Sequence, residues 1–199
     1  MRGNFFPAGD ILRVKGRRHE AHGLAEMTTD DQLAIEFQQG SRDAFRELFE
    51  RYREPIYGFF RRRLDNPARA EELAQECFLA LLRNAKRYEP RAAFRSYLYG
   101  VALNMLSAER RKSGREVAND GQMPDPPVNE NTDASVWVRQ ALERLETNDR
   151  EILMLREYEQ LSYAEIAGLL RLPVNTVRSR LFRARMALRE QLAPVQGKD

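Results

Sequence analysis

Apolar residues recur at intervals of three and four along residues 28–113 and 134–192, which is the period of an α-helix with one buried face. No segment alternates apolar and polar residues as a half-buried strand does. The spacing predicts helices at about 30–39, 42–64, 67–86, 93–112, 135–145 and 149–158, followed by a further pair. The pattern therefore predicts an all-α fold of two small helical domains.

The further pair of helices lies in the sequence LSYAEIAGLLRLPVNTVRSRLFRAR, which begins at Leu161. Ser162 and Glu165 have the spacing of a capping box, which predicts a helix start at this point. Pro173 donates no backbone N–H and biases the residue before it away from helix, so it ends the first helix. Two helices joined by so short a turn predict a helix-turn-helix.

The second helix of this pair divides into an apolar and a basic side. A cap at Asn175 or Thr176 opens it. Its inner face is predicted to be Val177, Leu181, Ala184 and Leu188. The opposite face holds Arg178, Ser179, Arg180, Phe182, Arg183 and Arg185. Such a face fits the major groove of DNA, and the alternative is an ordinary helix corner with a solvated basic side.

The segment between the two helical regions has a different composition. From Glu116 to Asp133 there are five acidic residues and no basic one, and prolines and glycines are frequent. Such a segment cannot bury enough apolar surface to offset the entropy of ordering it. We therefore predict that residues 114–133 form a flexible acidic linker between domains at 28–113 and 134–193. An acidic strand that mimics nucleic acid in a basic channel is the alternative.

Composition excludes several classes of protein. A chain with 42% hydrophobic residues, 32% charged residues and a net charge of +3 has enough apolar surface for packed cores, and no run approaches the roughly 18 apolar residues of a membrane-spanning helix. Cys77 is the only cysteine and is expected in a helix core, while His19 and His22 lie near the N-terminus, so we expect no metal site and no cofactor. Residues 1–27 and 194–199 are predicted to be a flexible extension and a polar tail.

Aromatic and basic residues alternate in the sequence KRYEPRAAFRSYLYG of the first domain. They are Tyr88, Phe94, Tyr97 and Tyr99 with Arg87, Arg91 and Arg95. Such a mixture suits single-stranded DNA, whose bases stack on aromatic rings while guanidinium groups bind phosphates. The alternative is ordinary core packing, because Phe94 and Leu98 are four residues apart.

The preceding helix has a polar face with an apolar residue at its end. Glu72, Gln75, Glu76 and Leu79 follow the spacing i, i+3, i+4 and i+7, which places them on one side of the helix. Polar groups beside exposed apolar ones are typical of a protein-docking surface. The alternative is a solvated acidic face.

Three motifs in this order resemble bacterial sigma factors of the extracytoplasmic-function (ECF) group, in the sigma-70 family. AEELAQECFLALL at 70–82 is similar to the helix of that family that docks on the β′ coiled coil of RNA polymerase. FRSYLYGVALN at 94–104 is similar to its promoter-melting segment, and the helix-turn-helix is similar to its −35-recognition motif. The resemblance covers about residues 30–112 and 135–192.

The resemblance implies an alternative sigma factor that binds core RNA polymerase, recognises −35 and −10 elements and helps to melt DNA. The implied −35 contacts are Asn175, Thr176, Arg178, Ser179, Arg180, Phe182 and Arg183. The implied −10 and melting contacts are Tyr88, Arg91, Arg95, Ser96, Tyr97, Asn104, Arg110 and Arg111. The implied polymerase-docking residues are Glu72, Gln75, Glu76, Phe78 and Leu79.

The resemblance also implies partners and a location. The partners are core RNA polymerase, through its β′ coiled coil and β flap, promoter DNA, and an anti-sigma factor. The protein itself would not insert into a membrane; it would be cytoplasmic, associated with the nucleoid, or held at the membrane by an anti-sigma factor.

Three positions depart from the family pattern. Tyr97 stands where the family usually has tryptophan, and Glu146 stands where it often has proline, although Asn148 can cap the following helix instead. Arg171 lies at a turn position where glycine is common, and a positive φ there would cost arginine about 1 kcal/mol.

Two other functional classes remain as alternatives. A stand-alone helix-turn-helix regulator would need a sensory or dimerisation module, and residues 28–113 show neither a receiver pattern nor a heptad seam. A DNA recombinase would need an activated nucleophile or paired metal carboxylates, and the chain has no such constellation. We therefore expect a protein that is not an enzyme.

Overall fold

The computed structural model describes residues 28–88, 92–120 and 133–192, and within these ranges it contains eight α-helices, one 3-10 turn and no strand. The predicted all-α fold is confirmed. The chain divides into two units, Met1–Asp125 and Pro126–Asp199. The predicted N-terminal extension, most of the predicted linker and the C-terminal tail lie outside the described residues.

The first unit is built from four helices with strong start signals. They are α1 (Asp30–Gln38), α2 (Arg42–Arg61), α3 (Pro67–Asn84) and α4 (Phe94–Asp120), with a 3-10 turn at Ala85–Arg87. The side chain of Ser41 caps α2 by accepting a hydrogen bond from the Ala44 amide at 3.2 Å, and Asn66 caps α3 in the same way. α2 continues past the exposed Pro55, so this proline does not start a new helix.

The core of the first unit lies around α2, which packs against α1, α3 and α4. Ile56, Phe59 and Phe60 of α2 are fully buried, as are Leu98 and Leu106 of α4. Cys77 of α3 is buried in the same core, as predicted, and burial raises the pKa of its thiol to about 12. The thiol is therefore protonated at neutral pH.

An ion pair connects the start of α3 to α4. The guanidinium of Arg69 donates two hydrogen bonds of 2.8 Å to the carboxylate of Glu109. Both side chains are half-buried, and the bond from Arg69 holds the pKa of Glu109 below its usual value. This bidentate contact fixes the antiparallel register of the two helices.

Helix α4 is longer than the sequence pattern predicts. It continues to Asp120, through seven residues that composition assigned to the linker. Gly114 costs a helix only about 1 kcal/mol relative to alanine, and the prolines that exclude helix begin at Pro124. Acidic composition alone therefore does not mark the end of this helix.

The second unit contains the other four helices. They are α5 (Asp133–Glu143), α6 (Thr147–Glu157), α7 (Tyr163–Leu170) and α8 (Val174–Leu192). α8 packs against the three others. Its inner residues Val177, Leu181 and Ala184 are buried and Leu188 is half-buried, as the spacing predicts.

Helix α7 begins with the predicted capping box and ends at the predicted turn. Both hydrogen bonds of the capping box are present, from the Glu165 amide to Ser162 and from the Ser162 amide to the Glu165 carboxylate. Arg171 ends α7 in the left-handed conformation, with φ of 55° and ψ of 43°. This conformation costs a non-glycine residue about 1 kcal/mol, which the packing of the two helices offsets.

Two predicted caps are wrong. Glu146, not Asn148, caps α6, because its carboxylate reaches the Asp149 amide at 3.1 Å and binds the Asn148 side chain as well. α8 begins at Val174, so Asn175 and Thr176 lie inside its first turn, where the Pro173 carbonyl accepts the first helical hydrogen bond from Val177.

None of the helices in the described ranges combines the length and apolarity needed to cross a bilayer.

Replacing Glu109 with glutamine removes the α4 carboxylate that binds Arg69 and leaves that guanidinium with charged partners on α3 only, Glu72 and Glu76. We expect the free energy of unfolding at pH 7 to fall by about 1.5–3 kcal/mol, measured by urea denaturation. Glu71→Gln, on the exposed side of α3, is the matched control and should change stability by less than about 0.5 kcal/mol.

The same pair predicts a pH dependence. Because the folded-state pKa of Glu109 is lowered, its contribution is complete above the usual value of 4.5 and is lost as pH falls through the lower folded-state pKa. The stability difference between the wild type and Glu109→Gln should therefore shrink at acidic pH. A difference that grows on acidification would contradict this assignment.

Candidate functional site

One exposed face of α8 gathers most of the residues predicted to contact duplex DNA. They are Asn175, Arg178, Ser179, Phe182 and Arg183, which follow the spacing i, i+3, i+4, i+7 and i+8. The Phe182 ring is 64% exposed although it is large and apolar. Burial of the opposite side of α8 leaves these five side chains facing outward together.

Acidic residues on α6 hold two of the α8 arginines. Arg180 is half-buried and lies 3.5 Å from carboxylate oxygens of both Glu146 and Asp149. Arg183 is more exposed, and its Nε lies 3.7 Å from the other oxygen of Asp149. Arg180 therefore lies at the edge of the α8 face, turned toward α6.

Arg178 differs from the other arginines of α8. Arg185 pairs with Glu157 at 2.6 Å, so the ion pairs of the described C-terminal unit occupy Arg180, Arg183 and Arg185 but not Arg178. Ser179 donates a hydrogen bond to the Thr176 carbonyl at 3.0 Å, and Thr176 is half-buried. Of the predicted contacts on this face, Arg178 is the arginine whose guanidinium is available without breaking an ion pair.

Two of the residues predicted to contact the −10 element are buried in the first unit. Tyr88 is 4% exposed, with its ring 5.1 Å from that of Tyr97 and 6.1 Å from that of Phe94. Burial raises the pKa of Tyr88 to about 12. Ser96 is buried as well. Because both side chains are buried, their predicted role as direct DNA contacts is corrected: Tyr88 and Ser96 are core residues of the first unit.

Other predicted −10 residues lie along the outer side of α4. Tyr97, Asn104 and Arg111 are seven residues apart and share one helix face; Tyr97 is half-buried and the other two are exposed. Arg110 is exposed and Arg95 is half-buried on other sides of the helix. The predicted contact Arg91 lies outside the described residues.

The start of α4 is tied to α1 rather than free. The Phe94 amide donates a hydrogen bond of 2.6 Å to the Asp31 carboxylate, and the Phe94 ring packs against Tyr52 at 5.7 Å. Because these contacts hold the first turn of α4, the half-buried Tyr97 lies on a supported helix.

The polar face of α3 is exposed as predicted. Glu72, Gln75, Glu76 and Leu79 all reach solvent, and Leu79 is 45% exposed. Phe78 does not belong to this face: it is buried, with its ring 4.9 Å from that of Phe49. Its predicted docking contact is therefore corrected to a core position, because residue 78 lies on the side of α3 that packs against α2.

The sequence interpretation missed the residue that organises this face. The Arg69 guanidinium lies 2.8 Å from Glu72 and 3.2 Å from Glu76, in addition to its bond with Glu109. Its position three residues before Glu72 and seven before Glu76 was a detectable signal. It likewise missed Leu82, which is 45% exposed one turn beyond Leu79.

Comparison with known proteins follows the same division of the chain. The sigma-70 region 2 family matches residues 48–116, and the sigma-70 region 4 family matches residues 135–188. The RNA polymerase sigma-H factor of Pseudomonas aeruginosa is 32% identical over 183 residues, covering 83% of this chain and 95% of that protein. The ECF RNA polymerase sigma factor SigW of Bacillus subtilis is 30% identical over 172 residues, covering 77% of this chain and 91% of that protein.

A solved structure shares the fold. CnrH, in complex with the cytosolic domain of CnrY, aligns with a TM-score of 0.63 and 25% sequence identity. The alignment covers 82% of this chain and 96% of that one.

The loss of stability on mutation should distinguish the buried from the exposed residues among those predicted to form the docking surface of α3. Phe78→Ala should lower the free energy of unfolding by about 3–5 kcal/mol, because it removes a core ring and leaves a cavity. Leu79→Ala is the matched control and should cost less than about 1 kcal/mol, because its side chain is already half in water. Urea denaturation measures the free energy of unfolding of both variants. Similar losses would show that Phe78 is not buried more deeply than Leu79.

Proposed function

Because this chain belongs to the ECF group of the sigma-70 family, it is an alternative sigma factor, and we propose that its first unit docks on core RNA polymerase and melts the −10 element while its second unit recognises the −35 element. The exposed α8 face is the observation that supports the DNA-binding half of this proposal best, because its Arg178 forms no ion pair with any residue that the structure describes. The stand-alone regulator and the recombinase are not supported, because both lie outside this family.

Recognition of the −35 element is proposed to use the α8 face in the major groove. Arg178 would donate paired hydrogen bonds to guanine, which discriminates against other bases by about 1–3 kcal/mol. Ser179, Phe182 and Arg183 would contact neighbouring base edges and thymine methyl groups. Asn175, Thr176 and Arg180, at the helix start and the edge of the face, would bind phosphates and set the register.

Strand separation is proposed to occur along the outer face of α4. Tyr97 would stack on an unpaired base, while Asn104 and Arg111 lie further along the same face to bind the displaced strand. Unstacking a base costs a few kcal/mol, which such contacts must offset. Arg95 and Arg110 would bind backbone phosphates from the flanks.

Docking on core polymerase is proposed to use the α3 face of Glu72, Gln75, Glu76 and Leu79 on the β′ coiled coil. The exposed leucine supplies apolar area at the end of a charged stripe, as protein interfaces require. Because Arg69 holds Glu72 and Glu76 in place, less side-chain entropy is lost on docking. The second unit would make a further contact with the β flap.

The proposal includes regulation and location. CnrH is bound by the cytosolic domain of another protein, CnrY, which supports a protein partner for this chain, and we propose that this partner is an anti-sigma factor. The protein would work at the nucleoid in the cytoplasm, or be held at the membrane by that partner. It would act by binding alone, as an initiation factor without catalytic chemistry of its own.

Arg178→Ala should weaken binding of the protein–polymerase complex to a −35 element by about 1–3 kcal/mol and leave its affinity for core polymerase unchanged. Arg189→Ala, at the exposed end of α8, is the matched control for loss of one positive charge. DNA affinity is measured by fluorescence anisotropy and core affinity by competition. Equal loss of DNA and core binding would refute this division of roles.

Glu76→Lys should weaken binding to core polymerase and leave recognition of the −35 element unchanged. It places a cation beside Arg69 and removes the net negative charge of the docking face, so affinity for core polymerase should fall by about tenfold or more. Glu54→Lys makes the same charge change on the exposed side of α2 and should retain core binding. Normal competition for core by Glu76→Lys would count against the α3 face as the docking surface.

A further inference from the structure

A groove with a volume of about 800 Å³ lies in the first unit, between the α1–α2 turn and the C-terminal end of α3. The turn is made by Gly40, whose φ of 102° lies in the left-handed region, and the space where a side chain would stand is open. None of the residues that line the groove is among those proposed above to contact DNA or polymerase.

The floor of the groove is apolar. The ring centroids of Phe37 and Phe45 lie 5.0 Å apart, and that of Phe45 lies 6.3 Å from that of Phe49, which joins the floor to the core. All three rings are half-buried, and Leu82 at the edge is 45% exposed. This concave aromatic surface matches aliphatic or aromatic side chains of a partner.

The rim of the groove is positively charged. Four basic residues line it, and no acidic residue does so within the described part of the chain. They are Arg42, Arg46, Arg83 and Lys86. Among the residues that the structure describes, Arg46 has an ion-pair partner, Asp43 at 2.7 Å, and the other three have none. Arg42 stands in the first turn of α2, where a cation opposes the helix dipole, so helix stability does not account for its presence.

The polar groups of the groove are already used inside the unit. The Gln38 amide donates a hydrogen bond to the Tyr88 carbonyl at 2.7 Å, and the Ser41 hydroxyl caps α2. Neither is left to recognise the edge of a base or a polar small molecule. The neighbouring rings are also tilted against one another by 37° and 31°, so they do not form one continuous flat surface on which successive bases could stack.

We propose that this groove binds an acidic amphipathic helix of a partner protein, with its apolar stripe on the phenylalanine floor and its carboxylates against Arg42, Arg83 and Lys86. An amphipathic helix presents apolar side chains at i, i+3, i+4 and i+7 and charges beside them, which is the pattern of floor and rim. The N-terminal stretch of this chain is basic, so the basic rim would repel it. The acidic segment 116–133 has the opposite charge and is tested below as a rival occupant.

The first test uses a designed peptide of about 18 residues with leucine and tryptophan on one helical face and glutamate elsewhere. Its binding to the full-length protein is measured by fluorescence anisotropy. Arg83→Glu and Leu82→Ser should each weaken binding by about tenfold or more. Arg189→Glu and Leu192→Ser are matched controls on α8 that should bind as the wild type does. Arg42→Glu provides a second rim variant that also suits the helix dipole.

The competing outcomes are distinct. Shifts of the Gly40 and Ser41 amide resonances on titration with the peptide would support the proposal. It is overturned if no saturable binding occurs below about 1 mM, if a peptide with lysine in place of glutamate binds equally, or if the rim variants bind as tightly as their controls. Displacement of the peptide by single-stranded DNA, or by a peptide of residues 116–133, at lower concentration would assign the groove to that ligand instead. Binding to promoter DNA and binding to core polymerase are measured in separate experiments, so a failure of peptide binding would not contradict the proposed sigma-factor roles.

Discussion

The burial of Val177, Leu181 and Ala184 against the other helices of the second unit determines what α8 presents to the outside. A helix that buries one stripe must expose the opposite one, so packing alone places Arg178 and Phe182 at the surface together. The apolar packing also offsets the cost of the left-handed Arg171 turn. The proposed −35 recognition therefore depends on core contacts that never touch DNA.

In the first unit, ion pairs as well as apolar packing determine which side chains are presented at the surface. Arg69 binds Glu109 of α4 and, on its other side, orders Glu72 and Glu76 on the exposed face of α3. One half-buried guanidinium thus couples the fold to the proposed docking surface. The aromatic cluster of Tyr88 and Phe94 supports α4 in the same manner, so that Tyr97 lies on a firmly held helix.

Local chemistry explains which features could be predicted from the sequence. The caps at Ser41 and Ser162 depend on residues within three positions, and the α8 inner face follows from one simple period. Phe78, Tyr88 and Ser96 were assigned to contact surfaces because motif position does not show which side of a helix meets a neighbour. The Glu146 cap was missed because a carboxylate and an amide two residues apart compete for the same role. The Arg69–Glu109 pair spans forty residues, and helix periodicity contains no information on it.

Promoter-specific transcription in vitro with bacterial core RNA polymerase, with and without this protein, tests the central claim most directly. Core alone should not start at defined sites, and the protein should produce discrete start sites with shared −35 and −10 sequences upstream. No stimulation of transcription, with binding to duplex DNA retained, would contradict the account by showing a DNA-binding protein that does not work with polymerase.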